Sequence, residues 1–167
     1  SDEEIIDFLD PCLEGNHIGL LSEAGCPGVA DPGSEIVKLA HNKCIEVVPL
    51  SGPSSIILAL MSSGMNGQNF AFNGYLPIEN VKRKSAIKKL EKLSFEKNQT
   101  QIFIETPYRN DKMLEELCKN LNENTRLCVA VDITLPTEKI LSLPINLWKK
   151  RNIELHKRPA IYLIHKD

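Results

Sequence analysis

Hydrophobic and polar positions change period several times along the first half of the chain. Residues 17–22 (HIGLLS) form a short apolar run that predicts a buried strand. A stretch rich in glycine and proline follows at 23–33. From Ser34 to about Asn42, the residues Ile36, Val37 and Ala40 return to one helical face. Residues 44–49 (CIEVVP) predict a second strand, and Ser51–Ser55 a turn that opens another helix. That helix, Ile56 to about Ser63, is apolar on most sides and closed by Gly64, so it is expected to be buried. Strand, helix, strand, helix is the order of a parallel sheet with helical crossovers.

The second half continues the pattern after a stretch at 73–77 that reads as a linker. Residues 80–94 predict a helix on which Arg83, Ile87, Leu90 and Ser94 share a face, with seven Lys or Arg side chains between Lys82 and Lys97. Strands are expected at 100–105, 126–131, 140–143 and 159–164. Asn110 or Asp111 caps a further helix, striped by Met113, Leu114, Leu117, Cys118 and Leu121. The expected architecture is α/β in two units. The two units are expected at residues 1–75 and 76–167, the second of them basic.

Charge sharpens this division. Residues 1–75 carry 10 acidic and 2 basic side chains, whereas residues 76–167 carry 12 acidic and 18 basic ones. The basic half suits an anionic partner such as RNA, or the two halves simply attract each other. With 42% apolar and 25% charged residues in 167, the chain has the composition of an ordinary globular protein. It lacks the ~18-residue apolar run of a membrane span, and a cytoplasmic location is expected. Five cysteines without a CxxC pair argue for free thiols rather than a disulfide framework or a zinc site. The four histidines have no ligand spacing, so no metal is expected.

The chain contains no GxGxxG, GxxxxGK[ST], HExxH or GxSxG motif. The loop from Gly25 to Gly33 holds three glycines and two prolines directly after a predicted strand. In open α/β sheets ligands bind beyond the carboxyl ends of strands, and glycine lets backbone groups approach them. Ser51–Ser55 occupies the equivalent place after the next strand, with Ser54 or Ser55 at the start of a helix that favours an anionic group. Together the two loops make either a cofactor crevice or two ordinary β-to-α turns. Glu105, in the segment Glu105–Arg109, follows a later strand as a candidate general base, with Arg109 to hold an anion. The bland reading is a strand-end carboxylate paired with a neighbouring cation.

Residues 20–33 (LLSEAGCPGVADPG) resemble the signature of the tetrapyrrole methylase superfamily, nearest to its ribosomal small-subunit RNA methyltransferase I branch. Residues 48–55 (VPLSGPSS), 72–77 (FNGYLP) and 105–109 (ETPYR) resemble three further motifs of that branch, in the same order. The resemblance implies a two-domain α/β methyltransferase, usually a homodimer, with S-adenosylmethionine bound in a cleft between the domains. It implies cofactor contacts from Ala24, Gly25, Cys26, Pro27 and Val29, and from Ser54 and Ser55. Glu105 and Arg109 would stand across the cleft, and the branch's product is a 2′-O-methylated cytidine of small-subunit rRNA. Glu105 and Asp132 are the candidate catalytic residues. Lys82, Arg83, Lys84 and Arg109 are candidates for binding the substrate.

The sequence departs from the branch in three places. The family's first strand and glycine-rich loop have no counterpart, which implies that about 70 residues of the usual ~100–150-residue domain precede this chain. Residues 130–135 read AVDITL where the branch carries ARELTK. Cys26 and Glu23 stand where Thr and Asp are usual. Two other functions therefore stay open: methylation of a tetrapyrrole or other small substrate, and a non-catalytic RNA-binding role.

Overall fold

The computed structural model describes residues 7–167, which divide into two compact units between Ser54 and Ser55. The division falls some twenty residues before the expected boundary at 75/76. The reason is the apolar helix that begins at Ser55. Its Ala59 and Leu60 are buried against the sheet of the second unit, and Ser142 Oγ donates to Ser63 O at 2.6 Å.

The first unit contains helices α1 (Asp10–Leu13) and α2 (Ser34–Asn42). Lys43 Nζ and Asp10 Oδ1 lie 3.5 Å apart. The strands expected at 17–22 and 44–49 do not form. Both segments are without ladder partners among the described residues. A strand is defined by inter-strand bonds rather than by its own composition. Without them Leu21 and Val48 stay exposed.

In the second unit, α3 (Ser55–Ser63) is followed by β1 (Phe70–Tyr75), α4 (Asn80–Lys97), β2 (Thr100–Ile104) and a 3₁₀ turn (Pro107–Arg109). Then come α5 (Asn110–Asn120), β3 (Arg126–Val131), β4 (Lys139–Pro144), α6 (Ile145–Trp148) and β5 (Ala160–His165). The sheet order is β1-β2-β5-β3-β4. Only the β1–β2 pairing is parallel; β5 runs antiparallel to both β2 and β3, and β4 antiparallel to β3. The carboxyl ends of β1, β2 and β3 therefore share one end of the sheet with the starts of β4 and β5.

Alternation along the central strands separates two cores. Phe103, Val129, Val131, Tyr162 and Ile164 face one way, where α4, α5 and α6 add Ile87, Leu117 and Trp148. Ile102, Cys128, Ala130, Ile161 and Leu163 face the other way, toward α3. The Phe103 and Tyr162 rings stack with centroids 5.6 Å apart, 6° from parallel.

Residues 70–75, expected to be in part a linker, form the edge strand β1. Register shifts between Phe72 and Tyr75, and Gly74 takes φ +63 at the bulge, a conformation that glycine adopts without steric cost. Asn73 Nδ2 bridges the gap with bonds to Ile102 O (3.2 Å) and Gln101 Oε1 (3.1 Å). Helix α4 extends to Lys97 and closes on Asn98, at φ 46.

Candidate functional site

Two groups of residues can be built from the chain upward, one in each unit. In the first unit, Asp31 Oδ1 accepts from Gly28 N (3.2 Å) and Gly33 N (3.0 Å), folding the loop of residues 24–33 back on itself. Ser22 Oγ donates to Gly25 O at 3.0 Å. A Cβ at Gly33 would meet Leu20 Cδ2 at 2.8 Å and Asp31 Oδ1 at 3.1 Å, so a larger residue there would require those side chains to shift. Cys26 Sγ donates to Pro53 O at 3.7 Å. That contact brings the Ala24–Val29 loop against the turn that leads into Ser54. Ser54 is the last residue of the first unit, and Ser55 opens α3 in the second. The exposed Ala24, Gly25, Pro27 and Val29 leave backbone groups available, which suits a ligand taken largely through N–H and C=O groups.

The second group lies at the carboxyl end of β1, β2 and β3. Glu105 follows β2, and its side chain is 1% exposed. Its Oε1 accepts from Arg109 Nη2 and from Thr106 N, both at 2.6 Å. The 3₁₀ turn at Pro107–Arg109 brings Arg109 back to Glu105, and this bond raises the guanidinium further above its ordinary value. Glu105 Oε2 and Arg109 Nε are buried without partners. An unpaired acceptor and an unpaired donor thus lie within one ion pair, and buried polar groups of this kind call for an explanation. Below them, Tyr162 Oη donates to Asn110 Oδ1 at 3.0 Å, and burial followed by the Glu105 carboxylate keeps the phenol protonated far above its usual range.

Asp132 follows β3. Ile104 and Ala130 both pair with Ile161, so Glu105 and Asp132 leave the sheet on either side of β5. Asp132 Oδ2 accepts from Thr137 Oγ1 (2.7 Å) and Arg158 Nε (2.9 Å). The Thr137 bond, and then Arg158, hold the carboxyl below the ordinary carboxylate range against the opposing effect of burial. Asp132 and Thr134 have φ of 50 and 73, the latter a strained value for a β-branched residue. Beside this clamp opens a depression of about 540 Å³, lined by Thr137, Lys139, Glu154, His156 and Arg158 among others.

The sequence singled out Asp132 but not the residues that fix it. Arg158 and Thr137 belong to no motif, and only the antiparallel return of β5 delivers Arg158 to the site. Arg83 needs correction as a docking residue. It is buried, bonding Ile78 O at 2.9 Å, Asn80 Oδ1 at 2.6 Å and Glu116 Oε1 at 3.4 Å, so it ties α4 to α5. Lys82 is exposed but paired with Glu79 at 2.7 Å, and Lys84 is exposed. Among the described residues, no group of three or more His, Cys, Asp or Glu is gathered for a metal. The five cysteines are free thiols, and burial pushes Cys128 up to about 12, too high for a nucleophile at neutral pH.

The lowered Asp132 carboxyl has a sign that can be checked. Its stabilisation is complete above the ordinary value near 3.8 and is lost as pH falls through the lowered one. Asp132→Asn keeps the left-handed backbone at low cost but weakens the charged bonds to Arg158. It should destabilise by about 1.5–3 kcal/mol at pH 7, and urea unfolding should show the gap to wild type closing below about pH 4. A gap constant down to pH 2 would mean that Asp132 is not held ionised.

Comparison with known proteins agrees with this architecture. Residues 1–146 match the family model described as Tetrapyrrole (Corrin/Porphyrin) Methylases. The chain is 31% identical over 161 residues to the ribosomal RNA small subunit methyltransferase I of Vibrio cholerae, covering 95% of this chain and 54% of that protein. It is 36% identical over 128 residues to the protein of the same name from a Synechocystis strain, covering 77% and 44%. The chain thus spans about half the length of these curated relatives. The fold superposes on the crystal structure of the methyltransferase CobJ with TM-score 0.63 at 18% identity, over 99% of this chain and 71% of that one. It also superposes on uroporphyrin-III C-methyltransferase from Thermus thermophilus, solved with S-adenosylhomocysteine, with TM-score 0.54 at 14% identity over 98% and 73%.

Proposed function

Because the chain belongs to the tetrapyrrole (corrin/porphyrin) methylase family, we propose that it is part of an S-adenosylmethionine-dependent methyltransferase acting on small-subunit ribosomal RNA, at the 2′-hydroxyl of a cytidine. The observation that carries this reading is the 31–36% identity to relatives named for that RNA. The Cys26–Pro53 contact supports the cofactor assignment, because it joins the two loops proposed to hold it. When bound, the cofactor supplies a methyl group made electrophilic by its sulfonium.

The chain's own residues then position an oxygen and receive its proton. Asp132 Oδ2 is occupied by Thr137 and Arg158, an arrangement suited to positioning Arg158. Glu105 Oε2, which has no partner, is the acceptor assigned to the hydroxyl proton, with Arg109 fixing the other oxygen. Lys82, Lys84 and Arg109 are the cations assigned to the RNA phosphates.

The test is transfer of labelled methyl from S-adenosylmethionine to small ribosomal subunits lacking the modification, using the full-length protein. Label should enter RNA and make the adjoining phosphodiester resistant to alkali. Glu105→Gln should lower the rate about 100-fold, the scale of a lost acid–base group. No label in RNA from a folded protein overturns the reading. Label that leaves the phosphodiester sensitive to alkali overturns the ribose assignment alone.

A further inference from the structure

The sheet end that carries Glu105 and Arg109 also gathers exposed aromatic and apolar side chains. Tyr75 ends β1 directly opposite Ile104, one residue before Glu105, and is 59% exposed. Tyr108 precedes Arg109 in the 3₁₀ turn and is 73% exposed. Ile104, the partner of Tyr75, immediately precedes Glu105, and Arg109 pairs with Glu105 at 2.6 Å, so the three residues share this end of the sheet. Ile78 and Val81, on the way into α4, are exposed too. The third tyrosine, Tyr162, is fully buried. Nothing in the packing of the unit requires the other two to stand in water. Isolated exposed apolar residues are ordinary, but a cluster beside a candidate site is not.

Exposed cations stand in the adjoining segments. Lys84 and Lys157 are exposed, and Lys157 N donates to Pro107 O at 3.2 Å, which fixes it beside Tyr108. Of the acidic neighbours, Glu79 pairs with Lys82 at 2.7 Å, and Asp111 lies 3.6 Å from His156, a pairing that is ionic only with the imidazole protonated. Aromatic faces interleaved with cations are the means by which proteins bind unpaired nucleotides: bases stack on the rings and phosphates meet the charges.

Resting on the reading of the substrate as RNA, we propose that Tyr75 and Tyr108 form a stacking platform for unpaired bases of that RNA, with Arg109, Lys84 and Lys157 taking the adjoining phosphates. The platform selects single-stranded or opened RNA over duplex, whose bases present no free faces. It also places the bound strand beside Glu105.

The experiment uses single-stranded RNA carrying 2-aminopurine, whose fluorescence falls when it stacks and can be excited without exciting Trp148. The full-length protein should quench it, and a duplex of the same sequence should compete poorly. Tyr75→Ala and Tyr108→Ala should each weaken binding about 10-fold, and the double variant should abolish most of the quench. Phenylalanine at either position should preserve both effects, whereas Tyr108→Leu, which keeps bulk without a π-face, should behave like alanine. Unchanged quench and affinity in the double variant would overturn the platform, as would phenylalanine variants that fail like alanine. A platform that quenches a porphyrin but not the RNA would also overturn it.

Methyl transfer measured in parallel separates the two readings. Quenching without label in RNA sinks the proposed reaction and leaves the platform. Label with an RNA KM unchanged in the alanine variants sinks the platform and leaves the reaction.

Discussion

Arg109→Ala is expected to destabilise the second unit by about 3 kcal/mol, out of proportion to the single ion pair it removes. Exposed pairs contribute little, about 0–1 kcal/mol. Glu105, however, is 1% exposed on its side chain, and one of its oxygens already lacks a partner. Taking away Arg109 leaves a buried carboxylate with only the Thr106 amide, and removing one partner from a buried pair costs about 3–5 kcal/mol. The low end applies because Arg109 keeps 34% of its own side-chain surface in water. The diagnostic measurement is a double-mutant cycle in urea. Glu105→Gln combined with Arg109→Ala should be more stable than Arg109→Ala alone, since the stranded charge is gone. A double variant less stable than either single one would show that the side chains act by packing instead.

Phe103→Ala is the second large effect, expected at about 3–5 kcal/mol, the range for a fully buried phenylalanine. The ring is 0% exposed and stacks on Tyr162. Tyr162 in turn bonds Asn110, the first residue of α5, directly after the turn that carries Arg109. The cavity therefore opens beneath the Glu105–Arg109 pair as well as in the core. Phe103→Leu, which refills part of the volume, should lose about 1–1.5 kcal/mol. Thermal unfolding measures the cost. If the alanine variant stayed within 1 kcal/mol of wild type, the ring pair would not be a support of this face.

Most helices of the second unit were legible because each carries its own signal. The stripe from Met113 to Leu121 and the closure of α4 at Asn98 depend only on neighbours three or four residues apart. The strands at 17–22 and 44–49 were misread because strand formation depends on partners far away in sequence, about which a short apolar run says nothing. β1 was misread in the opposite sense. Asn73 and Gly74 look like turn residues, yet Asn73 bonds across to β2 and Gly74 forms a bulge, so the chain stays in the sheet. Arg83 was assigned to docking against a signal the sequence did carry, its place on the face of Ile87, Leu90 and Ser94. Its place among lysines suggests a solvated basic face, but it shares a helical stripe with Ile87 and Leu90 and is buried with them. At the candidate site, Glu105 and Arg109 were visible as neighbours four residues apart. The Asp132–Arg158 pair spans 26 residues and exists only because β3 and β5 are adjacent. Tyr75 and Tyr108, 33 positions apart in the chain, are likewise united by a sheet pairing.

The strand order also governs when this unit can come into being. β5 is the last strand along the chain, yet it sits at the centre of the sheet, and β2 never touches β3. Until residues 160–165 leave the ribosome, the nascent chain holds a β1–β2 pair and a β3–β4 hairpin with nothing to join them. Two-stranded pieces are marginal in water, and each presents an apolar edge that can pair wrongly. Closure of the sheet, and with it the assembly of Glu105, Asp132 and Arg158 at one end, is deferred to the final moments of synthesis of this segment.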